Sequence, residues 1–369
     1  MTARRRRPAA GPLTALRRAL RLAFDFHGRA TRPELNWFLL AALLATGALV
    51  LLDTHLSARG VTYPYARVLL VLVWVPWPAL MVRRLHDLGH SGWVVLISLI
   101  PGLGAIMTLW LMFARSRDKA ARDTANPRSS RAAFVLTLLL LAVVARYEPF
   151  TIPSNSMEPG LLPGDYMLAD TLAYGWPCFG LCGPGDRFGT QLPDRGDVLV
   201  FRHPVTGAAY VKRLIGLPGE DLQLTGGVVN IDGAALPAEP LGTFSEPMQR
   251  RWGSMPLCAN APVAAGQPCD KMLLAERLPE GRLIHVLDTG TQLFDDTAPY
   301  DVPAGHLFLL GDNRDNSSDS RIPQSGGGLG FVPAEALIGR AALVAWSVSD
   351  GPWFNLTALR GDRFFRRVQ

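Results

Sequence analysis

Apolar residues are unevenly distributed along the chain. The first 146 residues contain four apolar runs, Trp37–Leu52, Val68–Val82, Trp93–Ala114 and Ala132–Ala145. A bilayer core about 30 Å thick needs roughly 17–25 mostly apolar residues in a helix, so the shorter runs need neutral flanking residues to cross it. This pattern predicts an α-helical membrane region with at most four spans.

After Tyr147 the pattern changes to short β-rich runs separated by Gly, Pro and Asp. Examples are DVLVF (Asp197–Phe201), YVKRLIG (Tyr210–Gly216) and HLFLLG (His306–Gly311). Such spacing is typical of antiparallel sheets or barrels. A stretch of about 200 residues is long enough to bury its own core. We therefore predict a mainly β domain over residues 147–351, followed by a tail over residues 352–369.

Positive charge lies beside the apolar runs. The 369 residues carry a formal net charge of +6, with basic clusters at Arg4–Arg7, Arg17–Arg21 and Arg115–Arg131. Juxtamembrane Lys and Arg are a topology signal and an anchor for anionic lipid heads. No nucleic-acid-binding motif accompanies them, so nucleic-acid binding is not expected. We predict four segments here: a basic cytoplasmic or interfacial segment at 1–34, a helical membrane domain at 35–114, a basic cytoplasmic loop at 115–131 and a transmembrane helix at 132–146.

The basic clusters also restrict how many apolar runs cross the membrane completely. Four full spans with an external β domain would place Arg4–Arg7 outside, against the positive-inside bias. The run Trp93–Ala114 is interrupted by Pro101-Gly102 and Gly104. A re-entrant segment broken there is tolerated where protein covers its backbone. Three spans plus a re-entrant segment then leave the basic clusters in the cytoplasm and the β domain outside; four spans remain the alternative.

A serine-containing stretch, PSNSMEP, begins a few residues after the last apolar run. A serine hydroxyl such as that of Ser154 or Ser156 is a weak nucleophile and needs a base within hydrogen-bonding reach. The histidines of this region, none with a local catalytic pattern, are His203, His285 and His306. A Ser-His-Asp triad assembled from distant positions nevertheless remains open. Lys212 in YVKRLIGLPGE is the more suggestive base, because apolar surroundings lower the pKa of a lysine. From spacing alone, a solvated strand lysine is the simpler interpretation of Lys212.

Four sequence blocks follow the membrane region in a fixed order. They are PSNSMEP, RGDVLVFRHP (Arg195–Pro204), YVKRLIGLPGE (Tyr210–Glu220) and GDNRDNSSDSR (Gly311–Arg321). In this order they resemble the blocks of bacterial type I signal peptidases, also called leader peptidases, over roughly Pro149 to Gly351. The resemblance implies a signal-peptidase/LexA-like β fold and a membrane-anchored serine endopeptidase. It implies no cofactor and no metal.

The resemblance implies a role for each residue that matches a block. Ser156 matches the nucleophile and Lys212 the general base. Ser154 matches the serine whose hydroxyl joins the backbone N–H of Ser156 in the oxyanion hole, where donors stabilise the developing negative charge. The implied supporting residues are Ser317, which orients the lysine amine, and the pair Asp319 and Arg321.

The implied substrates are signal peptides of exported preproteins, cut after small residues at the −1 and −3 positions. The matching pocket residues are apolar: Ile152, Pro153, Met157, Leu161, Tyr210 and Val211. Plain core packing is the alternative explanation for them. The implied location is the bacterial inner membrane, with several spans and the catalytic domain facing the periplasm. Preprotein signal peptides and anionic phospholipids are the expected partners of a monomeric protein.

Four cysteines lie in the predicted external domain: Cys178, Cys182, Cys258 and Cys269. An even number of cysteines in an oxidising compartment indicates disulfides. The local pairings are Cys178–Cys182 and Cys258–Cys269, although three connectivities exist. Zinc is the rival explanation, but the spacings fit standard zinc sites poorly.

Two further stretches resemble a small bacterial membrane domain of unknown function. They are GRATRPELNWF (Gly28–Phe38) and RRLHDLGHSGW (Arg83–Trp93), within residues 22–114. The HDLGH part echoes the HExxH zinc motif, but Asp replaces Glu and a glycine interrupts it. We therefore expect an interfacial loop at HDLGH rather than a metal site.

The tail FNLTALRGDRFFRRVQ (Phe354–Gln369) alternates apolar residues with arginines. It is compatible with a segment on the membrane surface and with one packed onto the catalytic domain.

Two other functions fit parts of the sequence. A LexA-like self-cleaving repressor shares Ser/Lys chemistry on a related β fold, but it would carry a DNA-binding head where this chain has apolar runs. A non-catalytic membrane protein with a partner-binding β domain gives no reason for Ser154, Ser156, Lys212 and Ser317 to occur together in these blocks.

Overall fold

The computed structural model describes residues 11–57, 69, 72–99, 103–115, 146–177, 187–189, 191–250, 255–350 and 355–369. The chain forms two compact units, Met1–Val144 and Ala145–Gln369.

The first unit is helical in its described part. Its elements are α1 (Pro12–Arg21), α2 (Arg32–Ser57), α3 (Trp77–Asp87), a 3-10 helix (Gly92–Leu99) and α4 (Leu103–Phe113). The start of α2 is a capping arrangement, in which the Glu34 carboxylate accepts a hydrogen bond from the Thr31 N–H at 2.9 Å. The same carboxylate forms an ion pair with Arg18 of α1. A carboxylate in the first turn thus satisfies a free N–H and joins two helices.

The predicted membrane runs are only partly described. Trp37–Leu52 lies in α2, and Trp93–Ala114 is divided between the 3-10 helix and α4. Val68–Val82 is described in part, whereas Pro101-Gly102 and Ala132–Ala145 lie outside the described residues. Within the described ranges, no helix meets the length and hydropathy expected of a membrane span. The number of spans stays a prediction.

The HDLGH stretch does not continue as one helix. Helix α3 ends at Asp87, and Gly89 adopts a left-handed conformation with φ +82°. His86 Nδ1 is 3.3 Å from the carbonyl oxygen of Gly28, and Asp87 forms an ion pair with Arg84. The two histidines are therefore not placed one turn apart on a helix, which the HExxH arrangement requires.

The second unit consists mainly of antiparallel strands, which confirms the predicted mainly β fold. The strands are β1 (Tyr147–Thr151), β2 (Asp165–Asp170), β3 (Trp176–Pro177), β4 (Arg187–Phe188), β5 (Val198–Arg202), β6 (Ala209–Gly216), β7 (Asp221–Thr225), β8 (Val228–Ile231), β9 (Ala234–Ala235), β10 (Ala238–Pro247), β11 (Pro268–Arg277), β12 (Leu283–Asp288), β13 (Tyr300–Asp301), β14 (His306–Leu310), β15 (Val332–Pro333), β16 (Leu337–Ser347) and β17 (Arg366–Arg367). Short 3-10 helices occur at Arg314–Asn316, Gln324–Gly326, Ala334–Ala336, Leu356–Ala358 and Gly361–Arg363.

The largest sheet has eight strands, in the order β1-β2-β16-β5-β6-β14-β15, with β17 paired to β16. Smaller sheets have the orders β10-β11-β12 and β13-β7-β8-β9, and β3 pairs with β4. The central strand β5 explains why DVLVF is apolar throughout. Val198 and Val200 pack in one core cluster, while Leu199 and Phe201 pack in another. Because alternate side chains point to opposite faces of a sheet, both faces of β5 are buried.

One of the two predicted disulfides falls on described residues. Cys258 and Cys269 are joined, with their Cα atoms 5.0 Å apart, as the local pairing predicts. Cys269 lies on β11, opposite Glu246 of β10. Cys178 and Cys182 lie outside the described residues, so that pairing stays a prediction.

The described part of the tail packs onto the β unit, which decides between the two alternatives left by the sequence. Strand β17 pairs with β16, and the Arg363 side chain is buried. The Arg363 guanidinium donates to both carboxylate oxygens of buried Asp165, at 2.9 and 2.6 Å. It also donates to the carbonyl oxygen of Gly160 at 2.9 Å. The bidentate pair ties the tail to the first residue of β2, and the Gly160 contact ties it to the segment between β1 and β2.

We expect Arg363→Met to lower the free energy of unfolding by about 3 kcal/mol, because it leaves the Asp165 carboxylate buried without its bidentate partner. Arg367→Met is the matched control, since Arg367 is exposed in the same tail. That change should cost less than about 0.5 kcal/mol. Chemical unfolding of the full chain measures both values. Equal stability of the two variants would contradict the structural role of Arg363.

Candidate active site

The predicted nucleophile Ser156 lies in the irregular segment that connects β1 with β2. Buried side chains of Ile152, Met157 and Leu161 anchor this segment in the core cluster under the main sheet. The Leu161 N–H donates to the Met157 carbonyl at 2.8 Å, and the Ile152 N–H donates to the Asp165 carbonyl at 2.9 Å. Ser156 itself is 6% exposed. Apolar anchors on both sides thus hold a polar residue inside the domain.

Lys212 of β6 is brought directly to Ser156, although the two residues are 56 positions apart in the sequence. Its Nζ donates a hydrogen bond to Ser156 Oγ at 2.6 Å, and the lysine is 3% exposed. The contact has the geometry that proton transfer between a base and a hydroxyl requires. The solvated-lysine interpretation therefore does not describe this residue.

Burial changes the acidity of the Lys212 amine. Loss of hydration lowers its pKa from 10.5 to about 8, and Arg321 adds to this effect, while Asp319 and Asp312 oppose it. At pH 7 roughly one molecule in ten then carries a neutral amine, compared with fewer than about one in a thousand for an ordinary lysine. A neutral amine can accept a proton, so the site contains a base at neutral pH.

Ser154 lies beside the same pair. Its hydroxyl oxygen is 3.3 Å from Ser156 Oγ, and either hydroxyl can be the donor. The structure therefore brings Ser154, Ser156 and Lys212 together, as the sequence blocks predicted.

Ser317 lies near the Ser156 backbone, on the other side of Gly311, but it does not make the predicted hydrogen bond with Lys212. Its Oγ is buried without a hydrogen-bond partner among the described residues. A Cβ atom at Gly311 would collide with the Ser317 side chain and would lie 2.6 Å from the Ser156 carbonyl oxygen. Gly311 thus permits a close approach of the Ser156 and Ser317 segments that no other residue allows.

Asp319 and Arg321 form the predicted supporting pair. Arg321 donates to both Asp319 oxygens at 2.9 Å, and both residues are buried. Asp319 Oδ2 also accepts a hydrogen bond from the Gly311 N–H at 3.1 Å. Burial alone would raise the pKa of Asp319, but Arg321 and the Gly311 N–H lower it below its ordinary value. The pair therefore fixes the backbone that separates Ser317 from Ser156.

A second buried pair was missed by the sequence analysis. Arg213, next to Lys212 on β6, donates to both oxygens of Asp312 at 2.6 Å. It also donates to the Gly196 carbonyl at 2.6 Å. The sequence signals for this pair are the adjacent KR of β6 and the GDN stretch, which by itself predicts only a turn. The pair neutralises a carboxylate that faces Lys212.

The six predicted pocket residues do not form one group. Ile152, Met157 and Leu161 are buried in the core cluster against which Val211 packs. Tyr210 packs against a different cluster, and Pro153 is exposed. Core packing thus accounts for the three buried members, and the substrate-pocket role stays a prediction.

Comparisons with known proteins indicate the family to which this chain belongs. The family described as "Signal peptidase, peptidase S26" matches residues 128–346, more than half of the chain, and the "Protein of unknown function (DUF805)" family matches residues 23–122. Signal peptidase I of Rickettsia rickettsii is 31% identical over 246 residues, which cover 63% of this chain and 84% of that protein. Signal peptidase I of Rickettsia typhi is 32% identical over 238 residues, which cover 60% of this chain and 80% of that protein. A solved signal peptidase I from Enterococcus faecalis has 24% identity and a TM-score of 0.21, and covers 41% of this chain and 97% of that chain.

The family match and the two Rickettsia relatives define a peptidase. The chain belongs to the signal peptidase family, peptidase S26, and is a serine peptidase of that type, with an N-terminal DUF805 region.

Because the pKa of the Lys212 amine is lowered, the stability of the folded protein should depend on pH. Below about pH 8 the folded protein holds an ammonium group that burial disfavours, whereas the unfolded chain keeps its proton up to about pH 10.5. Stability should therefore rise with pH between these values. We expect Lys212→Met to raise the free energy of unfolding at pH 7 by up to about 3 kcal/mol, with a gain that shrinks as the pH approaches 10.5.

Chemical unfolding of the full chain at several pH values measures this effect. Lys271→Met is the matched control, because the buried Lys271 amine lies between the carboxylates of Glu158 and Glu246. Its loss should lower stability. A Lys212→Met variant less stable than the original protein at pH 7 would contradict the proposed cost of burying this amine.

Proposed function

We propose that this protein is a membrane-bound endopeptidase that removes N-terminal signal peptides from exported preproteins with a Ser156/Lys212 dyad. The observation that carries this proposal is the 2.6 Å contact between Lys212 Nζ and Ser156 Oγ, both buried, with the pKa of the amine lowered to about 8. Membership of the signal peptidase family supplies the substrate class.

The chemistry follows from this contact. The neutral Lys212 amine takes the proton of Ser156 Oγ as the oxygen attacks the scissile carbonyl carbon. The C–N bond then breaks, the Lys212 ammonium returns the proton to the leaving amine, and an ester remains on Ser156. A water molecule, deprotonated by the same amine, attacks the ester carbon. The bond between that carbon and Ser156 Oγ breaks, the Lys212 ammonium returns the proton to Ser156 Oγ, and the signal peptide leaves with a new carboxyl terminus. The lysine thus acts as a base and an acid in turn.

The Ser154 hydroxyl is the proposed partner of the Ser156 backbone N–H in the oxyanion hole. Its hydroxyl oxygen lies 3.3 Å from Ser156 Oγ, and this closeness to the attacking atom supports the role. Each donor of this kind contributes about 3–4 kcal/mol to the stability of the transition state. Ser317 is the proposed orienting residue for the Lys212 amine, and its buried, unpartnered Oγ would gain a partner when it does so.

Cleavage after small residues at −1 and −3 is part of the proposal. The predicted pocket residues flank Ser156 and Lys212 in the sequence, and those that a substrate can reach would exclude bulky side chains. The rest of the arrangement rests on the sequence: several membrane spans, a cytoplasmic or interfacial N-terminal region and a periplasmic catalytic domain in a bacterial inner membrane. Preprotein signal peptides and anionic phospholipids are the proposed partners of a monomer.

Substitution of the dyad tests the proposal. Ser156→Ala and Lys212→Ala should each lower kcat/KM for a preprotein with an Ala-x-Ala site by at least about 10³-fold. Because the two residues act as a unit, the double variant should be about as inactive as either single one. Ser317→Ala should slow cleavage strongly. The measurement is cleavage of the preprotein by the full chain in detergent at pH 8.

The control for Ser317→Ala is Ser318→Ala, since Ser318 is exposed and its hydroxyl makes only a 3.5 Å contact with the Gly327 carbonyl. Activity of Ser318→Ala should stay within about twofold, as for surface substitutions generally. Substantial cleavage by Lys212→Ala at neutral pH would contradict the dyad. An equal loss of cleavage activity in Ser317→Ala and Ser318→Ala would contradict a specific role for Ser317.

A further inference from the structure

A second buried lysine lies close to the Ser156 segment. Lys271 of β11 is 0% exposed, and its Nζ is 2.8 Å from Glu158 Oε2 and 2.5 Å from Glu246 Oε1. Glu158 is 1% exposed and Glu246, on β10, is 9% exposed. The three residues form a buried cluster, termed the Glu158 cluster, that joins the β10-β11 hairpin to the segment between β1 and β2.

The Glu158 cluster reaches the backbone of the proposed nucleophile through Asn313. The Asn313 side-chain amide donates to Glu158 Oε2 at 3.2 Å and to the Asn155 carbonyl at 3.0 Å. The Asn313 backbone N–H donates to the Ser156 carbonyl at 3.1 Å. One fully buried asparagine therefore holds the carbonyl groups of Asn155 and Ser156, and Glu158 fixes the orientation of that asparagine.

A buried ionic cluster is an expensive way to stabilise a fold. Desolvation offsets most of the attraction, and apolar side chains of the same volume often stabilise a protein as well or better. The hydrogen bonds through Asn313 indicate another role for the Glu158 cluster, which is to hold the Ser156 segment in place. The Ser156 segment, residues 152–164, belongs to no strand or helix, and its backbone hydrogen bonds are those of turns and of its two ends. A displacement of about 1 Å at a reacting group lowers a rate by up to about 10²-fold.

We propose that Glu158, Lys271 and Glu246 are positioning residues for peptide-bond hydrolysis. Through Asn313, they hold the Ser156 segment so that Ser156 Oγ stays within hydrogen-bonding distance of Lys212 Nζ. This inference rests on the proposed function, because it takes Ser156 as the nucleophile.

The protonation state of Glu158 determines which substitution best preserves the Glu158 cluster. Burial raises the pKa of Glu158, with Glu246 adding to the rise and Lys271 opposing it. Asp312, which follows β14, is paired with Arg213 of β6. A protonated Glu158 beside one ammonium and one carboxylate leaves the cluster neutral. Glutamine has the shape of a protonated glutamate: its carbonyl oxygen can accept from Lys271 and Asn313 while its NH2 group donates to Glu246.

Two substitutions of Glu158 separate positioning from general stability. Glu158→Gln keeps the acceptor for Asn313, so kcat should stay within about threefold of the original. Glu158→Met keeps the volume and leaves Lys271 and Glu246 as a neutral pair, but it removes the acceptor. Its kcat should fall by about 10–100-fold, with KM changed less than about threefold, because the Glu158 side chain is buried away from the surface.

Glu220→Met is the matched control, since it breaks another part-buried pair, with Arg195. The hydrogen bonds of Glu220 go to Arg195 and to the Leu217 N–H, not to the Ser156 segment. The Glu220→Met variant should lose about as much thermal stability as Glu158→Met. Its kcat should stay within about twofold of that of the original protein. Should Glu158→Met fail to fold, Asn313→Ala breaks the same connection from the other side and should show the same fall in kcat.

The outcomes are distinguishable with the full chain and an Ala-x-Ala preprotein. A normal kcat in Glu158→Met, or in Asn313→Ala, overturns the positioning role while leaving the dyad intact. The positioning role is also overturned if kcat falls as far in Glu158→Gln as in Glu158→Met. In that case the shape and hydrogen bonding of the residue at position 158 do not determine kcat. Full cleavage by Ser156→Ala would instead refute the proposed function itself.

Discussion

The removal of water from one amine is the condition on which the proposed chemistry depends. Lys212 is held inside a β domain with its Nζ 2.6 Å from Ser156 Oγ. A lysine in water would be protonated at neutral pH and could accept nothing from serine. Burial lowers the pKa of Lys212, whereas the carboxylates of Asp319 and Asp312 act in the opposite direction. Each of these carboxylates is paired with an arginine, Arg321 and Arg213 respectively. The two ion pairs thus reduce the negative charge that would otherwise favour the ammonium form.

The domain contains two deeply buried lysines in different surroundings. Lys212 makes its hydrogen bond to a neutral hydroxyl, while Lys271 lies between two carboxylates. In the proposed mechanism the first lysine exchanges a proton with Ser156, and the second is a fixed cation that orders the Ser156 segment. The arginine–carboxylate pair of Arg363 and Asp165 holds the same segment at its other end, where it also contacts Gly160. In this proposal, catalytic geometry depends on several buried pairs that contribute little net stability by themselves.

Parts of this arrangement could be predicted from the sequence and parts could not. Alternating and continuous apolar runs predicted the β fold, because burial on one or both faces of a strand leaves a local pattern. Ser156 and Lys212 were identified because each lies in a compact sequence block. The Glu158 cluster left no such signal as a group. Glu158 lies in the PSNSMEP block, but Lys271 is 113 residues from Glu158 and 25 from Glu246, and neither Lys271 nor Glu246 lies in a block. The packing of the tail was undecided for the same reason, since Arg363 meets Asp165 across 198 positions. The hydrogen bond expected between Ser317 and Lys212 is absent, because a block predicts that residues are neighbours without fixing the rotation of a hydroxyl.

The most direct test of the central claim is the pH dependence of Ser156 acylation in a single turnover of the full chain with a preprotein substrate. If the neutral Lys212 amine is the base, the acylation rate should rise about tenfold per pH unit at low pH and level off above about pH 8, the pKa to which burial lowers this amine. An acylation rate that is constant from roughly pH 6 to pH 9 would show that Lys212 does not take the proton of Ser156.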